Sequence, residues 1–170
     1  MTGRPRSESD IVEAWTLREL VRELSAVRRS KRSLLLTPAG KKLAAADGST
    51  LWTAVTSALI PADQAEGVAA EITLMLHLTG RVGYREQCAA VAEAMAGEGW
   101  HSPSTGQPIT GEDVGWLIGV VHRRLDLLGL LRRQRSLDEV GDRLTDAGRT
   151  AALAALRARA LRPRTAVGFG

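Results

Sequence analysis

The apolar positions of this chain follow a helical period over most of its length. Over residues 11–24, Leu17, Val21 and Leu24 recur at spacings of three and four, the signature of an amphipathic helix. The same spacing predicts a short helix over residues 50–59, ended before Pro61. It predicts another over 62–79, with Val68, Ile72, Met75 and Leu76 on one stripe, and a third over 84–96, with Tyr84, Cys88, Val91, Ala92 and Met95 on another. Residues 97–110, rich in Ser, Pro and Gly, read as an exposed polar loop. Thr110 with Asp113 three residues on makes a capping-box-like start for a helix to residue 128, although Asp is shorter than the preferred Glu. Its stripe of Val114, Leu117, Val121, Leu125 and Leu128 should face the core.

Part of this pattern occurs twice. LRELVRELSAVRR (17–29) precedes a basic turn and LLLTPAGKKLAA (34–45); VHRRLDLLGLLRR (121–133) precedes a longer turn and DRLTDAGRTAALAAL (142–156). Leu17, Val21, Leu24 and Val27 match Val121, Leu125, Leu128 and Leu131 at an offset of 104, and Thr37, Ala39 and Gly40 match Thr145, Ala147 and Gly148 at 108. The extra residues fall in the turn, where a repeated structural unit tolerates length change. Each copy reads as a helix, two short extended stretches around a basic turn, and a second helix capped by Thr37 or Thr145. Pro38 suits a first helical position and Asp146 the positive end of a helix. Gly129 fits a helix end that needs a left-handed residue. Ser25 stands there in the first copy, so that helix either ends differently or bears about 1–2 kcal/mol of strain.

The chain has 170 residues, 44 % apolar and 25 % charged, the balance of one globular domain or two small ones. Only six residues are aromatic (four Trp, one Tyr, one Phe), which argues against base stacking on aromatic rings. No apolar run approaches the roughly 18 residues of a membrane span, and residues 1–10 carry no hydrophobic secretion signal. A single cysteine, Cys88, excludes an intrachain disulfide. A cytoplasmic protein without membrane contact is expected.

The net charge of +4 is uneven: +4 over residues 1–50, −4 over 51–100, zero over 101–150 and +4 over 151–170. Its cations cluster at Arg28, Arg29, Lys31 and Arg32; at Arg132, Arg133 and Arg135; and at Arg157, Arg159, Arg162 and Arg164. Such clusters are the electrostatic footprint of a polyanion binder, although arginine-rich proteins also carry solvated basic turns.

Helix, helix, long helix, a hairpin with a basic tip and a helix opened by LTDAGR resemble a winged helix-turn-helix over residues 62–159. More narrowly, LLLTPAGKKL with LWTAVTSALIP, GEGWHSPSTGQPITGEDV, LDLLGLLRR and LTDAGR resemble the tandem C-terminal region of Ri-plasmid open-reading-frame-three-like proteins from high-GC bacteria. The resemblance implies a mainly α fold with small β-hairpin wings, in tandem winged-helix-like units of which the first is incomplete. Residues 1–60 would form the partial unit (helix, wing, helix), 61–162 the complete one and 163–170 a frayed tail. It further implies double-stranded DNA as partner, with the helix over 110–128 at the major groove and the wings on phosphates. The expected contacts are Arg28, Arg29, Lys31, Arg32, His122, Arg123, Arg132, Arg133 and Arg135. Glu112 and Asp113 would repel phosphates and serve better as caps. The alternative is a protein-interaction or assembly module. The incomplete unit leaves an apolar stripe to be covered by the helices over 50–59 and 153–161, or by a partner subunit in a homodimer.

No catalytic centre, cofactor or metal site is expected. His77, His101 and His122 are scattered along the chain, none near a second ligand at metal spacing. His77 among leucines and Cys88 on its stripe read as packed residues. Residues 80–83 read as a turn rather than a phosphate loop, Trp100 as a plug at the core edge, and Trp15, Trp52 and Trp116 as packing residues.

Overall fold

The computed structural model describes residues 11–62, 64–80, 83–132 and 141–162. In chain order these form α1 (Val12–Glu23), β1 (Val27–Ser30), β2 (Ser33–Leu36), α2 (Pro38–Ala44), α3 (Gly48–Ser57), α4 (Gln64–Thr79), α5 (Tyr84–Gly97), α6 (Gly111–Leu127), β3 (Leu131–Arg132), β4 (Arg143–Leu144) and α7 (Asp146–Ala160). The architecture is mainly helical with two small antiparallel hairpins, β1–β2 and β3–β4, as the periodicity predicted.

The helix starts follow from local chemistry. Thr37 Oγ1 accepts from the Gly40 amide at 2.9 Å and Thr145 Oγ1 from the Gly148 amide at 3.0 Å, each satisfying an amide that its helix leaves unpaired. Asp113 reaches back despite its short side chain: its Oδ2 accepts from the Thr110 amide at 2.9 Å and from Thr110 Oγ1 at 2.7 Å. α3 begins ahead of the expected residue 50 because Asp47 Oδ1 accepts from the Thr50 amide at 2.7 Å.

The two helix-to-hairpin junctions are wired alike. The Ala26 amide donates to Val21 O at 2.8 Å and its carbonyl accepts from the Thr37 amide at 3.0 Å; Leu130 makes the same two bonds, to Leu125 and from Thr145, at 2.8 and 3.0 Å. Ser25 (φ +51°) occupies the left-handed position of Gly129 (φ +66°). The first helix therefore ends as the second does, and Ser25 carries the strain. The helix after each hairpin crosses directly over the junction carbonyl. A Cβ at Gly40 would lie 1.9 Å from Ala26 O, and one at Gly148 2.0 Å from Leu130 O, so only glycine permits the approach.

Two hydrophobic clusters form the core. One joins α4, α6, α7 and the segment after α3 through Leu59, Ile60, Leu74, Leu125, Leu130 and Ala151; the other joins α4, α5 and α6 through Ala69, Val91, Met95, Val114 and Ile118. Because α4 serves both, its fully buried positions are Ala69, Ala70, Thr73 and Leu74; of the expected stripe, Val68, Ile72 and Leu76 pack half-buried against the second cluster and Met75 is 43 % exposed. Cys88 is buried as expected. Tyr84, expected on the same stripe, is exposed at the start of α5, where its hydroxyl donates to Gly115 O at 2.8 Å. Trp52 and Trp116, expected as packing residues, are exposed too; Trp100 packs half-buried at the edge of the second cluster. In the loop expected to be exposed, Ser102 is buried and donates to Asp113 Oδ1 at 2.8 Å, pinning the loop to the start of α6.

The helices expected to cover the α1 stripe do not do so. α3 and α7 pack against each other, α1 packs on α6, and Leu17 stays exposed.

Candidate nucleic-acid interface

The register of the first hairpin pairs Val27 with Leu36, Arg28 with Leu35, Arg29 with Leu34 and Ser30 with Ser33, leaving Lys31 and Arg32 as a two-residue tip. Lys31 supplies a positive φ (+54°), and Arg29 Nε donates to its carbonyl at 3.3 Å, bracing the turn. Arg28, Arg29, Lys31 and Arg32 are all exposed. Among the described residues no carboxylate pairs with any of them.

α1 leads into this hairpin. On it Arg18 and Arg22 lie one turn apart, with Glu19 between them at 3.5 Å from Arg18 Nε and 3.0 Å from an Arg22 guanidinium nitrogen. The two arginines and the hairpin's Arg28, Arg29 and Arg32 enclose a concavity of about 550 Å³, to which Val27 and Leu34 add apolar wall.

The second hairpin contributes Arg132, exposed on β3 and paired across the ladder with Arg143. Arg133 and Arg135 lie outside the described residues.

His122 and Arg123, expected on a free outer face of α6, are both half-buried. The Arg123 guanidinium lies over the Trp15 ring of α1, 5.5 Å from its centroid, a cation–π contact. α1 thus occupies the side of α6 expected to meet the groove. His122 Nε2 lies 3.0 Å from His77 Nε2 on α4. That distance requires one Nε2 to donate and the other to accept, so the neutral pair holds opposite tautomers. Burial of His77, and then the charge on His122, push its pKa down to about 4 against a smaller opposing pull from Asp142. The histidines scattered in sequence therefore include a spatial pair. Among the described residues no group of three His, Cys, Asp or Glu is placed to hold a metal.

Arg124 is not among the expected contacts. It is 4 % exposed, donating to Ala58 O at 3.0 Å and to Glu23 Oε2 at 2.9 Å, and so ties α1 and the end of α3 to α6. Its place between Val121 and Leu125 on a core-facing stripe was the available signal. Two of the C-terminal cations are similarly occupied: Arg159 lies 3.5 Å from Glu71, and Arg162 donates to Ser57 O at 2.9 Å, while Arg157 is exposed. Arg164 lies outside the described residues.

No family model, curated protein or solved structure matches this chain. No helix among the described residues is long and apolar enough to cross a membrane.

Proposed function

We propose that this is a cytoplasmic, non-enzymatic DNA-binding protein of the transcription-regulatory kind, built from two winged-helix-like units with the first incomplete. The observation that carries the reading is the β1–β2 hairpin, where four exposed cations fall within five residues around a braced tip. Exposed guanidinium and ammonium groups with no carboxylate partner among the described residues can exchange counterions for phosphates without first breaking an ion pair there. Arg132 extends the same chemistry to the second hairpin. The matching junctions support an origin of the two units by duplication. With α1 lying along α6, the first unit is the phosphate-facing one and α6 its scaffold, so contact through the backbone outweighs base reading by His122 or Arg123.

The test is a fluorescence-anisotropy titration of a labelled duplex from 50 to 200 mM KCl. The expected result is binding whose log affinity falls linearly with log salt, about 0.9 per phosphate contacted. Absence of binding at the lowest salt removes the reading.

A second reading, an assembly module, is favoured by one observation. Leu34, Leu35 and Leu36 are 46, 42 and 53 % exposed on consecutive positions of β2, an apolar strand edge of the kind that recruits partners. It requires a defined oligomer in sedimentation that survives high salt; a monomer under all conditions excludes self-assembly.

A further inference from the structure

We infer that the concavity between α1 and the β1–β2 hairpin is a binding site for a small anion carrying at least two phosphoryl groups, of the pyrophosphate, triphosphate or nucleoside polyphosphate class. The inference goes beyond the DNA reading and is tested without DNA. At about 550 Å³ the space is of small-molecule size. What sets it apart is convergence: Arg18 and Arg22 come from one face of a helix, and Arg28, Arg29 and Arg32 from the hairpin, yet all five border one space. Glu19 offsets part of the charge of Arg18 and Arg22, but five arginines against this one carboxylate leave an excess of like charge that repels itself. An anion entering it relieves that repulsion and gains guanidinium hydrogen bonds, which match the spacing of phosphoryl oxygens.

The number of cations selects the ligand. A single phosphate engages one or two guanidinium forks, whereas a chain of two or three phosphoryl groups spans arginines from both walls at once. A duplex presents its phosphates on a convex rod suited to a ridge; a compact polyanion suits a cleft. Val27 and Leu34 give the wall an apolar portion on which a ribose or base could rest. By contrast, the larger concavity of about 810 Å³ beside Tyr84 and Cys88 is bordered by Arg85 and Glu112, of opposite sign, and concentrates no charge.

The test is isothermal titration calorimetry of the full chain with inorganic tripolyphosphate, ATP and orthophosphate at constant ionic strength. The expected result is saturable 1:1 binding of tripolyphosphate, at least tenfold tighter than orthophosphate. Arg18→Gln with Arg29→Gln should weaken it at least tenfold, as should Arg28→Gln with Arg32→Gln, whose positions are exposed and spare the fold. Arg157→Gln on α7 should change it less than twofold. ATP binding tighter than tripolyphosphate assigns a nucleotide; equal binding assigns the phosphate chain alone. Absence of saturable heat, a preference below tenfold, or unchanged binding in both double variants overturns the site. One corollary rests on the DNA reading: duplex and tripolyphosphate should exclude each other. A chain that binds tripolyphosphate and no duplex loses that reading while the site stands.

Discussion

Compare the two helix–hairpin–helix segments at matched positions. Leu17, Val21, Leu24 and Val27 are exposed or half-buried, whereas Val121, Leu125 and Leu131 are 3, 0 and 6 % exposed, with Leu128 half-buried. The junction bonds are nevertheless the same at both. Backbone wiring is thus set by a local code: a left-handed residue ends the helix, a threonine caps the next, and a glycine lets that helix cross. Burial is set by what the rest of the chain brings. α4 and α5 close over the second segment, while neither hydrophobic cluster contains a residue before Leu59. The first segment keeps its hairpin cations and Leu34, Leu35 and Leu36 in solvent, and the second carries the core. Arg124 bridges them, bonded to Glu23 and buried against Ala58 O.

The contrast is open to direct attack, beginning with the core. Leu125→Ala should cost about 3 kcal/mol and its counterpart Val21→Ala about 1 kcal/mol or less, read as urea midpoints, because only the former empties a closed site. Equal losses would mean that the first segment is as well packed as the second. The crossing glycines come next. Gly148→Ala should cost about 2–3 kcal/mol and Gly40→Ala about 1–2 kcal/mol by the same measurement, since α2 borders no closed core and can move away from the new methyl group.

Acid should act on the second segment through His77. Its folded-state pKa near 4 lies below the ordinary 6.5, so the unfolded chain binds the proton more readily. The associated stability is complete above pH 6.5 and is lost as pH falls toward 4. Between pH 7 and 5 the natural chain should lose roughly 2 kcal/mol more than His77→Gln, measured by urea unfolding at the two pH values. Parallel losses would show that the pair does not govern acid sensitivity. The smallest effect is a reciprocal exchange at the left-handed positions. Ser25→Gly should stabilise by about 0.5–1 kcal/mol and Gly129→Ser destabilise by a similar amount, as thermal midpoints report.

What could be read from the sequence was local. Thr37, Thr145 and Asp113 capped as expected because a cap involves residues two or three apart. Both hairpins fell where the basic turns placed them. Facing was harder to read. On α4 the stripe located Val68, Ile72 and Leu76 against the second cluster but missed Met75, which is exposed, and the fully buried Ala70 and Leu74 that face the first cluster, because one periodicity cannot express a helix that serves two clusters. His77 and His122 meet across 45 residues of chain, and nothing in their local surroundings signals the pairing. The coverage of Arg123 by Trp15 likewise depends on α1 lying along α6. Of the expected contacts, Arg28, Arg29, Lys31, Arg32 and Arg132 stand exposed; His122 and Arg123 were counted as surface because one helix alone does not show what packs on it. The concavity was not legible either, since it needs Arg18 and Arg22 to face a hairpin that only the fold places beside them.

On the proposed reading, the first segment meets phosphates while the second supports it. That reading is tested most directly by comparing two triple variants, Arg28→Ala/Arg29→Ala/Arg32→Ala and Arg132→Ala/Arg133→Ala/Arg135→Ala, by the salt dependence of duplex affinity. The expected result is a slope flattened by up to about 2.7 in the first variant, one phosphate per arginine at about 0.9 each, and by less in the second. An unchanged slope in the first variant, beside a large change in the second, would contradict it.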